Sequence, residues 1–583
     1  MEEHLNQEKL SIDTEIQTKL LDYHNNDHHH HHHKGGIQTM PFIIVNEAFE
    51  RMASYGLMPN MIFYLMEVYH MEVVTGTTIL SIWSALSNGL SIIGAFVSDS
   101  YLGRFWVIAI GSVSTLLGMT FLWLTSMVPQ LTPSSCYEID SNCSRPSLAQ
   151  LAFLFLSFGL ISVGSGCIRP CSMAFGADQF THHTALNNQR LIDSYFNWYY
   201  ASVSLSTIVA FTVLVYIQDQ LGWQVGYGIP VLVMVCSVLM FLLGSSLYVK
   251  VKVSESPFSG FIQVLIIAFK KRKAILLHDD CYNHSNEMDR AELTDNLRFL
   301  NKACVNDMNV DSSNLSPWSV STVEKVESLK SLIRILPVWS SCILLSTTIS
   351  QGFPTLQVKT MNRHIISGFE IPAASFSLFI VLTLAIWIAF YDRILVPLLD
   401  KYTSEPRGFH PKTRMGIGLL ITIVAMMVSA IVETIRRHIA RSVYNPNSIV
   451  DMSAMWLVPQ FALYGLAEAF NAIGQIEFYY SELPTSMSSI AMAVFIMGNA
   501  ISGLVSSLLI NVVNSVTSQG GQVSWLSSDI NEGHIDYYYW LLGFLNLLNF
   551  FYFLMCCRVH RNLSSSQSKV VSELGEEESD CRH

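Results

Sequence analysis

The stretch "MPFIIVNEAFERMASYGLMPNMIFYLMEVY", Met40 to Tyr69, is long and apolar enough to cross a bilayer, yet it carries Glu47, Glu50 and Arg51 within five residues. On a helix Glu47 and Arg51 are four residues apart and Glu50 lies three from Glu47, so the charges share one face. A charged group inside a membrane costs about 2.5–3.5 kcal/mol on insertion scales unless it is paired or wetted. A structural ion pair that fixes helix packing accounts for two of the three. Three charges of unequal sign leave one carboxylate over, and that carboxylate can take a proton. The stretch therefore points to a membrane helix with a chemical task.

The rest of the chain agrees with a membrane setting. Of 583 residues half are hydrophobic and only 14% are charged, against about a quarter charged in soluble domains, and the mean hydropathy is +0.36. A formal net charge of −11 does not suit a nucleic-acid binder. The first forty residues are polar and show no cleavable signal, which predicts that insertion starts with the first span and leaves the amino terminus in the cytosol. The run His28–His33 reads as a polar tract, native or added, rather than a metal site. Most of the eleven cysteines lie in apolar segments and read as small hydrophobes, Cys236 and Cys342 among them. Cys136 and Cys143 differ. They flank a polar connection beside the acceptor triplet Asn142-Cys143-Ser144, where a local disulfide on the outer side would compete with glycosylation of Asn142.

Apolar windows recur at roughly 41–66, 74–97, 106–128, 148–170, 195–216 and 226–249, and again at roughly 331–351, 371–391, 413–433, 453–475, 487–512 and 537–557. The expectation is an all-α membrane protein of about twelve transmembrane helices in two six-helix halves. Its parts are a disordered cytosolic tail with the His run (1–40), an amino-terminal bundle (41–250), a central cytosolic loop (251–330), a carboxy-terminal bundle (331–557) and a cytosolic tail (558–583). Most Lys and Arg fall on the predicted inner side, but Arg436, Arg437 and Arg441 fall outside, against the rule.

Two six-helix halves joined by a cytosolic loop resemble the major facilitator layout, in which substrate binds near the midplane between the halves. The turn "GAFVSDSYLGRF" puts Asp99 and Arg104 where opposite charges can latch neighbouring helices, and "YDRILVP" repeats the device with Asp392 and Arg393. Span four holds "SVGSGCIRPC", with Gly164 and Gly166 allowing close helix approach and Arg169 near the inner end. For Arg169 two readings stand, snorkelling to the interface or facing a pocket. Span ten, "YGLAEAFNAIGQIEF", places Glu468 too deep to snorkel, as a ligand or gate.

"EAFER" reads as the E-x-x-E-R signature of proton-coupled oligopeptide transporters. "GSGCIRPCSMAFGADQF" followed by "SYFNWYY", together with "YDRILVP" and "AEAFNAIGQIEFYYSELP", closely resembles the plant nitrate/peptide transporter family within that group, from about Gly35 to about Arg558. The resemblance implies a proton-coupled symporter that works by alternating access. It implies proton-relay roles for Glu47 and Glu50 with Arg51 as partner and substrate contact, a pairing of Arg169 with the first-span acids, and substrate or gating contacts for Glu468. Arginine stands at Arg169 where many relatives have lysine, and an arginine acts as a fixed charge. Ser54 interrupts the Tyr-Tyr-Gly that follows the signature in peptide carriers, and Ile349 stands where some nitrate carriers have histidine. Both replacements predict a wider, more apolar cavity.

No nucleophile triad, metal cluster or phosphate loop rises above background, so an enzyme is not expected. No cofactor is expected beyond the proton as coupling ion. The expected substrate is nitrate or a larger plant solute such as a glycosylated metabolite or hormone. The alternatives are a sensor built on the transporter fold and a peptide transporter. The plasma membrane is the expected location, with the tonoplast as alternative. The lipid bilayer is the expected surrounding, no nucleic acid is expected as partner, and "SSSQS" in the tail suits a regulatory kinase.

Overall fold

In the computed structural model residues 35–580 are described, apart from 135–144, 181–184, 252–256, 273–293, 295–296, 306–317, 319, 367–368, 404–407, 443–448 and 485–486. The His run, Cys136, Asn142 and Cys143 lie outside the described residues, as does the predicted disorder of residues 1–34.

The first half contains Met40–Glu67 (span 1), Val73–Val97 (span 2), Arg104–Met127 (span 3), Leu148–Asp178 (span 4) and Ala185–Val209 (span 5), followed by Val215–Leu243. That last helix breaks at Gly222, whose φ of 80° is open to glycine without strain. The residues before the break complete span 5 and those after it form span 6. The second half contains Val323–Ile349 (span 7), Leu378–Phe390 (span 8), Pro411–Ser442 (span 9), Val458–Glu482 (span 10), Ser488–Thr517 (span 11) and Ile535–Asp580 (span 12). Among the described residues nine helical stretches are long and apolar enough to cross a membrane, and one of them, Ser194–Ser246, holds two crossings. The remaining two crossings are spans 1 and 10. They are long enough, but charged and amide side chains interrupt them.

Small residues set the helix spacing. A side chain on Gly164 would meet Thr115 Oγ1 of span 3 at 1.9 Å, and one on Gly166 would meet Leu90 of span 2 at 2.8 Å, so span 4 is held against both neighbours. Cys342 is buried as expected, whereas Cys236 sits on the outward surface of its helix.

The predicted boundaries need three corrections. Span 7 begins at Val323, so position 330 lies inside a helix, and the central connection contains a helix of its own, Pro257–Lys270. The backbone of span 12 continues as helix through the tail to Asp580. Gly36–Thr39 already forms a short 3-10 turn, tied by Gly36 N–H to the Gln179 carbonyl at 2.8 Å.

The start of span 1, the end of span 12 within the bundle and the helix of the central connection share one face, called inner here. Toward the opposite, outer face, hydrogen bonds and an ion pair tie the two halves together. Glu67 pairs with Lys359, the Val73 N–H meets Ser528 Oγ at 3.3 Å, Asn511 donates to Thr78 at 2.9 Å, and Ser375 donates to the Phe211 carbonyl at 2.8 Å. A hydrophobic cluster there joins Ile62, Phe63, Val73 and Val74 of the first half to Phe353, Phe376 and Leu526 of the second. The molecule is sealed at its outer end.

Candidate functional site

Span 1 turns its charges inward, and Glu47 and Glu50 are both fully buried. Helical spacing brings Arg51 Nε to 2.7 Å from Glu47 Oε1, while Arg51 Nη1 donates to the Tyr55 hydroxyl at 3.1 Å. Glu50 is held differently. Its Oε1 accepts a bond from Ser54 Oγ at 2.7 Å, and Arg169 Nε of span 4 stands 3.9 Å away. Among the described residues Glu47 Oε2, Glu50 Oε2 and Arg169 Nε have no hydrogen-bond partner. One pair is thus closed and the other is loose.

Tyr55 lies between the two arginines, with Arg51 5.8 Å and Arg169 5.5 Å from its ring centre. Such a ring attracts both cations and keeps them together despite their like charge. Of the two readings of Arg169 the geometry favours the pocket, since the side chain points to Glu50 and Tyr55 rather than to the interface. Pro170 follows it inside the helix, where its missing N–H leaves a carbonyl of the preceding turn without its usual bond.

Ser54 corrects an expectation. It is buried and its hydroxyl is spent on Glu50, so it does not widen the cavity. Ile349, at the end of span 7, does line a cavity between the halves of about 250 Å³, together with Thr77, Ser81, Gln351, Phe461 and Tyr464. Phe211 also lines it and stands 6.5 Å from the Tyr55 ring, so cavity and charge cluster adjoin. Glu468 is half-buried in span 10 and makes no hydrogen bond or ion pair with a described residue.

The helix-turn latches are partly as predicted. Arg104 stands 3.5 Å from Asp99, but its stronger partner is Asp178 at the end of span 4, reached through two 2.7 Å contacts. In the second half Asp392 and Arg393 occupy the same kind of π-helical turn as Asp99, Tyr391–Leu395 against Ser98–Leu102. Both are exposed, and neither forms an ion pair with a described residue. The latch there is Arg414, at the start of span 9, held by both oxygens of Glu477 at 2.7 Å and lying 4.3 Å over the Tyr391 ring. Arg414 is the positional equivalent of Arg104. Sequence reasoning missed it because Glu477 is 63 residues away.

Two of the three outer arginines that broke the charge rule, Arg436 and Arg437, are drawn into the protein. Arg436 is fully buried and pairs with both oxygens of Glu433 at 2.7 and 2.8 Å. Its remaining donors reach Thr360 and Asn531, while Gln357 donates to Glu433 at 2.6 Å. Arg437 lies 3.7 Å from Asp536 and donates to His534 Nδ1 at 2.6 Å. Both guanidiniums are held by carboxylates inside the protein, whereas Arg441 is exposed and still stands against the charge rule.

Comparison with known proteins fits this geometry. The family model described as the POT family matches residues 105–526. The chain is 48% identical over 541 residues to Protein NRT1/PTR FAMILY 1.2 of Arabidopsis thaliana, covering 90% of this chain and 89% of that protein. It is also 48% identical to Protein NRT1/PTR FAMILY 1.1 of the same plant, covering 90% and 91%. Among solved structures the POT family transporter PepTSo superposes with a TM-score of 0.68 at 17% identity, over 90% of this chain and 98% of that one, which shows the shared fold. The protein is a multi-pass membrane transporter of the major facilitator fold, and the chain belongs to the NRT1/PTR branch of the POT family.

Proposed function

We propose that the protein is a proton-coupled symporter in which Glu50 accepts the driving proton and Arg51 and Arg169 hold the substrate. The observation that carries this reading is the contrast within span 1. Glu47 is tied to Arg51 at 2.7 Å, whereas Glu50 faces Arg169 only at 3.9 Å, while each glutamate keeps one oxygen unpartnered among the described residues. A proton on Glu50 cancels its attraction for Arg169 and leaves that guanidinium to the substrate. Release of the proton restores the pair. The outer seal makes this the inward-facing member of an alternating-access cycle. One charge moved through the field yields about 2.3 kcal/mol per 100 mV, enough to drive accumulation.

The substrate we favour is an organic solute with an uncharged, hydroxyl-bearing body. Its cavity is lined by Ile349, Phe461 and Tyr464 for apolar surface and by Thr77, Ser81 and Gln351 for hydroxyl groups. Nitrate is the second reading, supported by the unpartnered Arg169 Nε. Charge separates the two. Glu47, Glu50 and Glu468 against Arg51 and Arg169 leave the site at −1 when all are ionised. One proton brings it to zero, so a bound nitrate needs a second proton, while a neutral glycoside needs one. Voltage-clamped oocytes given nitrate or a panel of neutral glycosides in acid medium decide between them. A nitrate current carrying net positive charge identifies the anion, glycoside uptake with one charge per molecule identifies the organic solute, and saturable binding without current identifies a sensor. The plasma membrane is the proposed location and the tonoplast the alternative, to be separated by a fluorescent fusion.

A further inference from the structure

The helix Pro257–Lys270, in the connection between the halves, is apolar on two opposite faces. One face, Val264, Ile267 and Ala268, is buried against Val323, Val326 and Leu329 at the inner end of span 7 and against Leu300 and Ala303. The other carries Ile262, Leu265, Ile266 and Phe269, which are 52%, 48%, 37% and 69% exposed. Their spacing of three and four places them along one stripe. A helix of 14 residues is about 21 Å long, too short for a hydrocarbon core of about 30 Å. It cannot be a thirteenth crossing.

The stripe ends in basic residues. Lys270 and Arg272 are exposed, Arg272 lies 4.8 Å over the Phe269 ring, and Lys273 follows in sequence. Lys271 instead turns into the protein and donates to the Val305 carbonyl at 2.6 Å. Its buried face packs on span 7 at Val323–Leu329, just before the apolar window that starts near position 331, with Leu332 and Ile333 packed beside it.

We propose that this helix lies flat in the inner leaflet, with its apolar stripe among the acyl chains and Lys270 and Arg272 on anionic headgroups. An apolar stripe and a basic end at interfacial depth are complementary to an anionic lipid surface, for which each basic residue adds about fivefold to the affinity. Through Val264 and Ile267 the leaflet then bears directly on the inner end of span 7.

The test uses the full chain in lipid nanodiscs, with benzoylphenylalanine in place of Phe269 as a photo-crosslinker. In discs containing phosphatidylserine, illumination should attach phospholipid to position 269. Hydrogen exchange over residues 260–270 should be slower there than in pure phosphatidylcholine. Lys270→Glu with Arg272→Glu should remove that difference between the two lipids while leaving exchange in span 7 unchanged. Crosslinking to a second copy of the chain, or no lipid adduct with rapid exchange in both discs, overturns the proposal. Equal protection in both lipids, unaffected by the charge reversals, overturns its anionic part.

Discussion

The two halves each bury a cluster of glutamate and arginine, and the clusters are built to opposite ends. In the second half Glu433 and Arg436 lie near the outer end, with both carboxylate oxygens and every tip of the guanidinium engaged. In the first half Glu47, Glu50, Arg51 and Arg169 have three hydrogen bonds and one loose contact, with bonding capacity left over on Glu47, Glu50 and Arg169. Buried charge that is saturated holds a structure in one state. Buried charge that is under-satisfied can change partners, and a transporter that alternates between states needs such a group. Burial alone therefore does not mark the working site; unfinished bonding does.

The largest expected effect comes from breaking the saturated cluster. Arg436→Ala strands the Glu433 carboxylate and should cost about 3–5 kcal/mol of stability, seen as a sharp fall in folded yield and thermal midpoint in detergent. Arg169→Ala, which gives up only a 3.9 Å contact, should instead leave yield and midpoint near wild type while abolishing uptake, whereas Arg51→Ala strands buried Glu47 and should lower the midpoint as well as abolish uptake. If Arg169→Ala transported normally, the side chain would be structural. Arg169→Lys keeps the charge but loses the forked donor and should lower uptake by about tenfold, the worth of one charge-assisted hydrogen bond. Ile349→Trp sharpens the substrate question, since filling the 250 Å³ cavity should stop a bulky glycoside and spare nitrate. Equal loss of both would place nitrate in the same cavity.

The smallest expected effect is on pH dependence at the outer cluster. His534, in the loop before span 12, is held below its usual range, first by burial and then by the Arg437 guanidinium beside it. A histidine kept neutral in the fold binds protons more readily when unfolded. Stability should therefore fall as pH drops below the unfolded value of about 6.5. His534→Gln should lessen the loss of thermal midpoint between neutral and acid buffer. An unchanged acid sensitivity in that variant would assign it elsewhere.

Much of this contrast was legible in the sequence, for a physical reason. A charge inside an apolar run stands out, so Glu47, Glu50, Arg51 and Glu468 declared themselves, and the two helices that fall short of membrane apolarity are the ones that carry them. Saturation is not legible, because it depends on partners distant in sequence. Arg436 looked like an exception to the charge rule until Thr360 and Asn531 came to meet it. Arg414 and Glu477 went unnoticed, while the adjacent Asp392 and Arg393 suggested a pair that does not form. Ser54 read as a missing aromatic wall, since sequence shows its size but not its bond to Glu50. The helix Pro257–Lys270 was hidden by the polar residues around it.

The decisive measurement is uptake by Glu50→Gln across outer pH, in oocytes supplied with nitrate or with a neutral glycoside as probe. Glutamine copies the protonated carboxyl in shape and neutral charge but cannot release a proton. The variant should reach the membrane, take up its substrate at a rate that no longer varies with outer pH, and fail to concentrate it above the medium. Wild-type pH dependence together with concentrative uptake in Glu50→Gln would contradict the assignment of Glu50 as the proton acceptor.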